Sequence, residues 1–244
     1  MIAGPAPIQV DRTHTDVQDY WSEYRDLDEK RFRELWMPWF GRERFQLNAN
    51  DDAPDLYEYL KFLVSVRDGR PVLKFVRANL RAQWLRAHFP DSWIVHITRR
   101  PRDVWTSAVG RGSHRVDMNL EPDPTWGAFP TYYSMIADDI GLAVPGHPYR
   151  QFYALWLLGE RHVGAVADDT WVYEDMVGDF PAWAGSHLID AGLARSIPTV
   201  RVRGDARGAE FHSDEWYDQQ EAEVDALLAT NFSLTEQLVT DPDQ

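Results

Sequence analysis

The chain has 244 residues, 44% of them hydrophobic and 26% charged, with a formal net charge of −14 and no cysteine. That length and composition fit one folded domain spanning 1–244 with a sizeable core, not a disordered chain. The missing cysteines exclude disulfides, thiolate zinc sites and a cysteine nucleophile, and the acidic balance argues against nucleic acid and anionic membrane as partners. No apolar run approaches the roughly 20 residues that span a bilayer. Met1–Pro7 lacks the basic and apolar regions of a signal peptide, so a cytoplasmic location is expected.

Residues 16–40 scatter Trp21, Tyr24, Phe32, Leu35, Trp36 and Trp39 among polar residues and predict one or two helices. Leu56, Tyr59, Leu60 and Leu63 recur at helical spacing over 54–67, and Gly69-Arg70-Pro71 breaks that helix. Pro71–Val76 is a short apolar run after a turn, the pattern of a buried strand. A helix over 77–89 follows, with Leu80, Trp84, Leu85 and Phe89 on one side. Trp93–Thr98 predicts a second buried strand, with His96 inside it as a core residue. Pro101 then opens a helix, where its missing N–H has no partner to lose, and Asp103 complements the helix dipole.

Residues 111–148 are rich in proline and glycine, as a substrate lid would be. Tyr149–Val166 predicts an amphipathic helix, 169–173 a third strand and 181–192 a further helix. Residues 200–203 predict a last short strand, and Glu215–Leu228 an acidic closing helix. Strands alternating with helices over short links imply an α/β fold, a parallel sheet flanked by helices, with ligands beyond the carboxyl ends of the strands.

Charge is concentrated. Between Arg67 and Arg115 lie eleven basic and three acidic residues, so this stretch carries +8 while the rest of the chain carries −22. A positive field inside an acidic protein suits a small, multiply charged anion, whereas solvated helix-face arginines would be the bland alternative. Within the stretch, an apolar strand runs into Arg99-Arg100-Pro101 and a helix begins at once, with Ser107 about two turns further on. An anion there would gain backbone N–H groups, the helix dipole and guanidinium forks together.

The segment Thr98-Arg-Arg-Pro-Arg-Asp-Val-Trp-Thr-Ser107 resembles the 3′-phosphate-binding segment of the sulfotransferases that use 3′-phosphoadenosine-5′-phosphosulfate. Phe89-Pro90-Asp91 ahead of the strand and Pro71–Asn79 upstream fit the same pattern, the latter as in bacterial members. Trp171-Val-Tyr-Glu-Asp-Met176 is similar to the family's Tyr-Glu-Asp segment, and Val200–Asp205 echoes its C-terminal Arg-Lys-Gly motif. The resemblance implies a P-loop-NTPase-like sulfotransferase fold, with 67–115 as the nucleotide core and 111–148 as the acceptor lid. It implies that Arg99, Ser107 and Arg203 hold the 3′-phosphate, that Tyr173 lies against the adenine, and that Lys74 stabilises the bridging oxygen. The cofactor is then this donor, without a metal, and the partners are a small-molecule or sugar acceptor and at most a second copy of the chain. Trp126, Phe129, Tyr132, Tyr133, Phe152 and Trp156 would line the acceptor pocket; the same residues also read as plain core.

Two departures qualify the resemblance. The family's glycine-containing loop, which cradles the 5′-phosphosulfate, has no counterpart: no glycine stands between Gly4 and Gly41. Either the loop is encoded upstream, the preferred reading since losing the first strand would bare a sheet edge, or the chain is a loop-less relative. The family histidine after the strand lysine is also absent, leaving His114, His147 and Glu58 as candidate bases, with His114 foremost. The alternative function is a catalytically inactive binding protein on the same scaffold.

Overall fold

The computed structural model describes residues 45–65, 69–75, 78–111, 140–197 and 212–230. The chain divides into two compact units, one of residues 1–43 with 52–74 and the other of residues 44–51 with 75–244. In the first, helix α1 (Pro54–Ser65) buries Leu56 and Leu60, one turn apart, with Ala53 just ahead of it. Asp55 stands in its first turn, where a negative charge complements the dipole. Gly69 stands at φ +114°, a conformation that favours glycine.

Residues 71–75, expected to form a buried strand, are not in one. Val72 is 87% exposed. An apolar run makes a strand only when a neighbour accepts its backbone groups, and no strand pairs with this segment among the described residues.

The second unit begins its described core with a 3₁₀ turn (Asn79–Arg81) running into helix α2 (Ala82–His88). Leu47 N–H donates to Leu80 O at 3.0 Å, and Trp84 Nε1 donates to Asp51 O at 3.0 Å. Strand β1 (Val95–Thr98) and strand β2 (Asp169–Val172) pair in parallel, Val95 with Asp169 through Thr98 with Val172. Helix α3 (Pro101–Arg111) follows β1, and helix α4 (Pro148–Gly164) leads into β2. Helix α5 (Tyr173–Gly178), helix α6 (Phe180–Ala184) and a π-helical turn (Gly185–Ile189) come after β2. Helix α7 (Asp214–Thr230) is the last described element.

The architecture is therefore mixed helix and strand, a small open parallel sheet flanked by helices. Its strands are less buried than the apolar runs suggested. His96 and Thr98 turn to α4, whereas Ile97 on the opposite side is 53% exposed. The main core lies between α3, α4 and α7, where Trp105, Tyr149, Phe152, Tyr217, Val224 and Leu228 are packed together. Phe152 is thus a core residue, not a pocket wall. A smaller cluster joins Leu80 to Leu155 and Leu158. At that crossing a Cβ on Gly159 would come within 2.9 Å of the Asn79 amide nitrogen, so glycine permits the approach.

Arg86 fixes the entry to both strands. Its guanidinium donates to Ser92 O at 2.9 Å, to Val166 O at 2.9 Å and to Asp168 Oδ2 at 2.5 Å. Asp168 Oδ2 also accepts from Ile94 N–H at 2.7 Å, and Asp168 N–H donates to Ile94 O. The Ile94 N–H, and Arg86 after it, hold the Asp168 carboxyl below the usual carboxylate range. A depressed carboxylate stabilises the fold above its unfolded pKa of about 4 and ceases to as pH falls through the folded value. Wild type should therefore exceed Asp168→Asn in denaturant midpoint at pH 7, and the gap should close towards pH 3. A gap that does not change with pH would contradict the charged role of Asp168.

Among the described residues no helix is long and apolar enough to cross a membrane.

Candidate functional site

The β1–β2 register builds the site. Thr98 pairs with Val172, so the next residues, Arg99 and Tyr173, leave the two strands side by side at their carboxyl ends. The Arg99 guanidinium carbon stands 4.6 Å from the Tyr173 ring centroid, a cation–π contact. One residue further, Arg100 N–H donates to Glu174 Oε1 at 3.1 Å. Arg100 Nε lies 3.2 Å from Asp103 Oδ2 and 3.5 Å from the same Glu174 oxygen. Tyr173, expected at a strand end, is instead the first residue of α5. Glu174 and Asp175 in that helix's first turn favour an N-terminus there.

Beneath β1, Glu160 of α4 ties two strand residues. Thr98 Oγ1 donates to Glu160 Oε2 at 2.8 Å, and His96 Nε2 lies 3.2 Å from Glu160 Oε1. His96 is 7% exposed, so the expectation that it belongs to the core holds. This clamp sets the position at which Arg99 emerges.

On α3, Asp103 and Ser107 lie within a third of the helix circumference, while Arg102 and Trp105 lie on the opposite side. Trp105 is buried in the core. Arg102 is spent on α7: its Nε and one Nη donate to Glu221 at 2.8 and 2.9 Å, and it also engages Asp218 and Asp214. Glu221 first, then Asp218, holds the Arg102 guanidinium charged against the cost of burial. The described arginines of the +8 stretch thus play different parts. Arg86 and Arg102 are internal ties, Arg100 is paired with carboxylates, and Arg99 is the arginine set against an aromatic ring at the strand ends.

Lys74 is exposed and belongs to the first unit, as does the exposed Glu58 on α1. His114 and Arg203 lie outside the described residues, as do Trp126, Phe129, Tyr132 and Tyr133. Trp156 stacks on Tyr153, with ring centroids 6.0 Å apart. His147 caps α4 through its ring. Of the six expected site residues, Arg99 and Tyr173 are brought into contact, and Ser107 stands on the α3 face that also carries Asp103. Glu160 and Glu174 were not anticipated. The Glu174 position was foreshadowed by the Tyr-Glu-Asp run, whereas nothing in the spacing of α4 marks Glu160. Among the described residues no group of three or more His, Asp or Glu side chains could hold a metal ion. No family model, no curated protein and no solved structure matches the chain.

Proposed function

We propose that this chain binds 3′-phosphoadenosine-5′-phosphosulfate, or its 3′,5′-bisphosphate product, at the carboxyl ends of β1 and β2. On this reading it is a sulfotransferase moving the sulfuryl group to a hydroxyl or amine of a small-molecule or sugar acceptor. The observation that carries the reading is the Arg99–Tyr173 pair beside the start of α3. It sets a fixed cation and a flat aromatic face next to a helix N-terminus, as a phosphorylated purine nucleoside requires. Arg99 and Ser107, with Arg203, would hold the 3′-phosphate, and Tyr173 the adenine. His114 would take the acceptor proton.

A catalytically inactive binding protein is the second reading. The observation that favours it is Glu174, whose carboxylate already accepts Arg100 N–H beside the α3 N-terminus and so competes with an anion there. Calorimetric titration with 3′-phosphoadenosine-5′-phosphate and with adenosine 5′-monophosphate tests the site. Tyr173→Ala is expected to weaken both ligands alike. Ser107→Ala is expected to weaken only the bisphosphate, by roughly 10-fold, as for loss of one charge-assisted hydrogen bond. Equal affinity for both nucleotides in wild type would refute the assignment.

A further inference from the structure

Ahead of α4, His147 does something unusual for a histidine: its ring nitrogen Nδ1 accepts the Tyr149 N–H at 3.2 Å, capping the helix. An imidazole accepts at Nδ1 only when that nitrogen is unprotonated, so the ring must be neutral with its proton on Nε2. The same ring packs against two further helices and a second imidazole. It meets Trp105 of α3 edge to face at 6.2 Å and Trp216 of α7 at 4.8 Å, and it lies 5.5 Å from the ring of His212. His212 in turn stacks on Trp216 at 3.7 Å.

Among the described residues, His212 and Arg150 oppose protonation of His147, and the nearby arginines are engaged elsewhere. Arg150, one turn into α4, is held by Gln220 and Glu223 of α7. His212 precedes α7. Arg102, on α3, is taken up by Glu221 and Asp218 of α7. A proton on His147 would place N–H against N–H and a positive charge at the positive end of the α4 dipole.

We propose that His147 is an acid-operated latch at the junction of α3, α4 and α7. Neutral, it closes the first turn of α4 against Trp105 and the His212–Trp216 stack; protonated, it releases that turn. The latch stands on its own geometry, independent of what binds at Arg99.

The electrostatics agree with the cap. Burial first, then His212 and Arg150, lowers the affinity of His147 for a proton. A histidine depressed in the folded state stabilises the fold above its unfolded value of about 6.5, and that contribution is lost as pH falls through the folded value.

The test is a pH titration of the full chain by NMR from pH 8 to 5, with denaturant unfolding of wild type and His147→Asn at each pH. Asparagine supplies a capping oxygen that does not titrate. His162 is also buried and depressed, but it is common to both proteins and cancels in the comparison. The expected result has three parts. The His147 ring titrates below the ordinary value. The Tyr149 amide resonance moves with the same midpoint and is flat in His147→Asn. Wild type loses stability relative to the variant, by about tenfold in the unfolding constant per pH unit between the two pKa values. A ring midpoint at or above the ordinary value, as attraction of the imidazolium to the tryptophans would give, overturns the latch. So does a Tyr149 amide that ignores the ring. Should His147→Asn fail to fold, the paired ring and amide titrations of wild type decide alone.

Discussion

Replacing Trp84 by alanine is expected to lower the unfolding free energy of the larger unit by about 4 kcal/mol. Trp84 has 0% of its surface exposed and is among the largest fully buried side chains described. Its ring stacks on His88 at 4.2 Å, meets Phe89 edge-on at 6.4 Å, and donates Nε1–H to Asp51 O. Alanine would remove the packing and leave a carbonyl without its donor, and a rigid surround cannot close on a gap of that size. Trp84→Phe separates the two effects, since it keeps most of the volume and loses only the donor, at about 1–2 kcal/mol. Denaturant unfolding followed by circular dichroism measures both. A loss below about 1 kcal/mol for Trp84→Ala would mean that Trp84 does not hold α2 to the 45–51 segment.

Glu221→Ala should cost about 3 kcal/mol, because one carboxylate serves two partners on two helices. Tyr149, fully buried, donates its hydroxyl to Glu221 Oε1 at 2.5 Å, and Arg102 binds both carboxylate oxygens. Removing it orphans a buried hydroxyl and strips a guanidinium of the carboxylate that holds it by two hydrogen bonds. The figure lies at the low end for a broken buried pair because the Arg102 side chain keeps 27% of its surface in solvent and retains Asp218. Asp214, 3.4 Å from Arg102 but 89% exposed, provides the contrast. Asp214→Ala should change stability by less than about 0.5 kcal/mol, since solvent screens such a pair. Equal costs for the two substitutions would show that the network contributes only surface charge.

The elements that local pattern dictates were legible in the sequence. α4 follows from its apolar spacing, although its first residue, Pro148, reads as the end of the loop, and α3 follows from Pro101 and Asp103. β1 follows from a short apolar run after a turn. What the sequence concealed is pairing over distance. Pro71–Phe75 has the same apolar character as β1, yet a strand is defined by its neighbour, and that neighbour is not written in the run. Arg86 and Arg102 swelled a basic stretch that looked like one anion site, but their carboxylates lie 82 and 119 residues away. A charge count cannot tell a cation awaiting a ligand from one already bonded across the fold. The Arg99–Tyr173 contact was foreshadowed by two motifs but depends on a register that neither motif contains.

The deciding measurement is calorimetry of 3′-phosphoadenosine-5′-phosphate binding to wild type and to Arg99→Ala, with adenosine 5′-monophosphate as the reference ligand. The predicted result is a wild-type preference for the bisphosphate that Arg99→Ala abolishes. Its affinity for the bisphosphate should fall by about 2–3 kcal/mol, roughly 30- to 150-fold, while its affinity for the monophosphate changes little. Undiminished binding in Arg99→Ala, or no preference for the 3′-phosphate in folded wild type, would contradict a 3′-phosphate site at the end of β1.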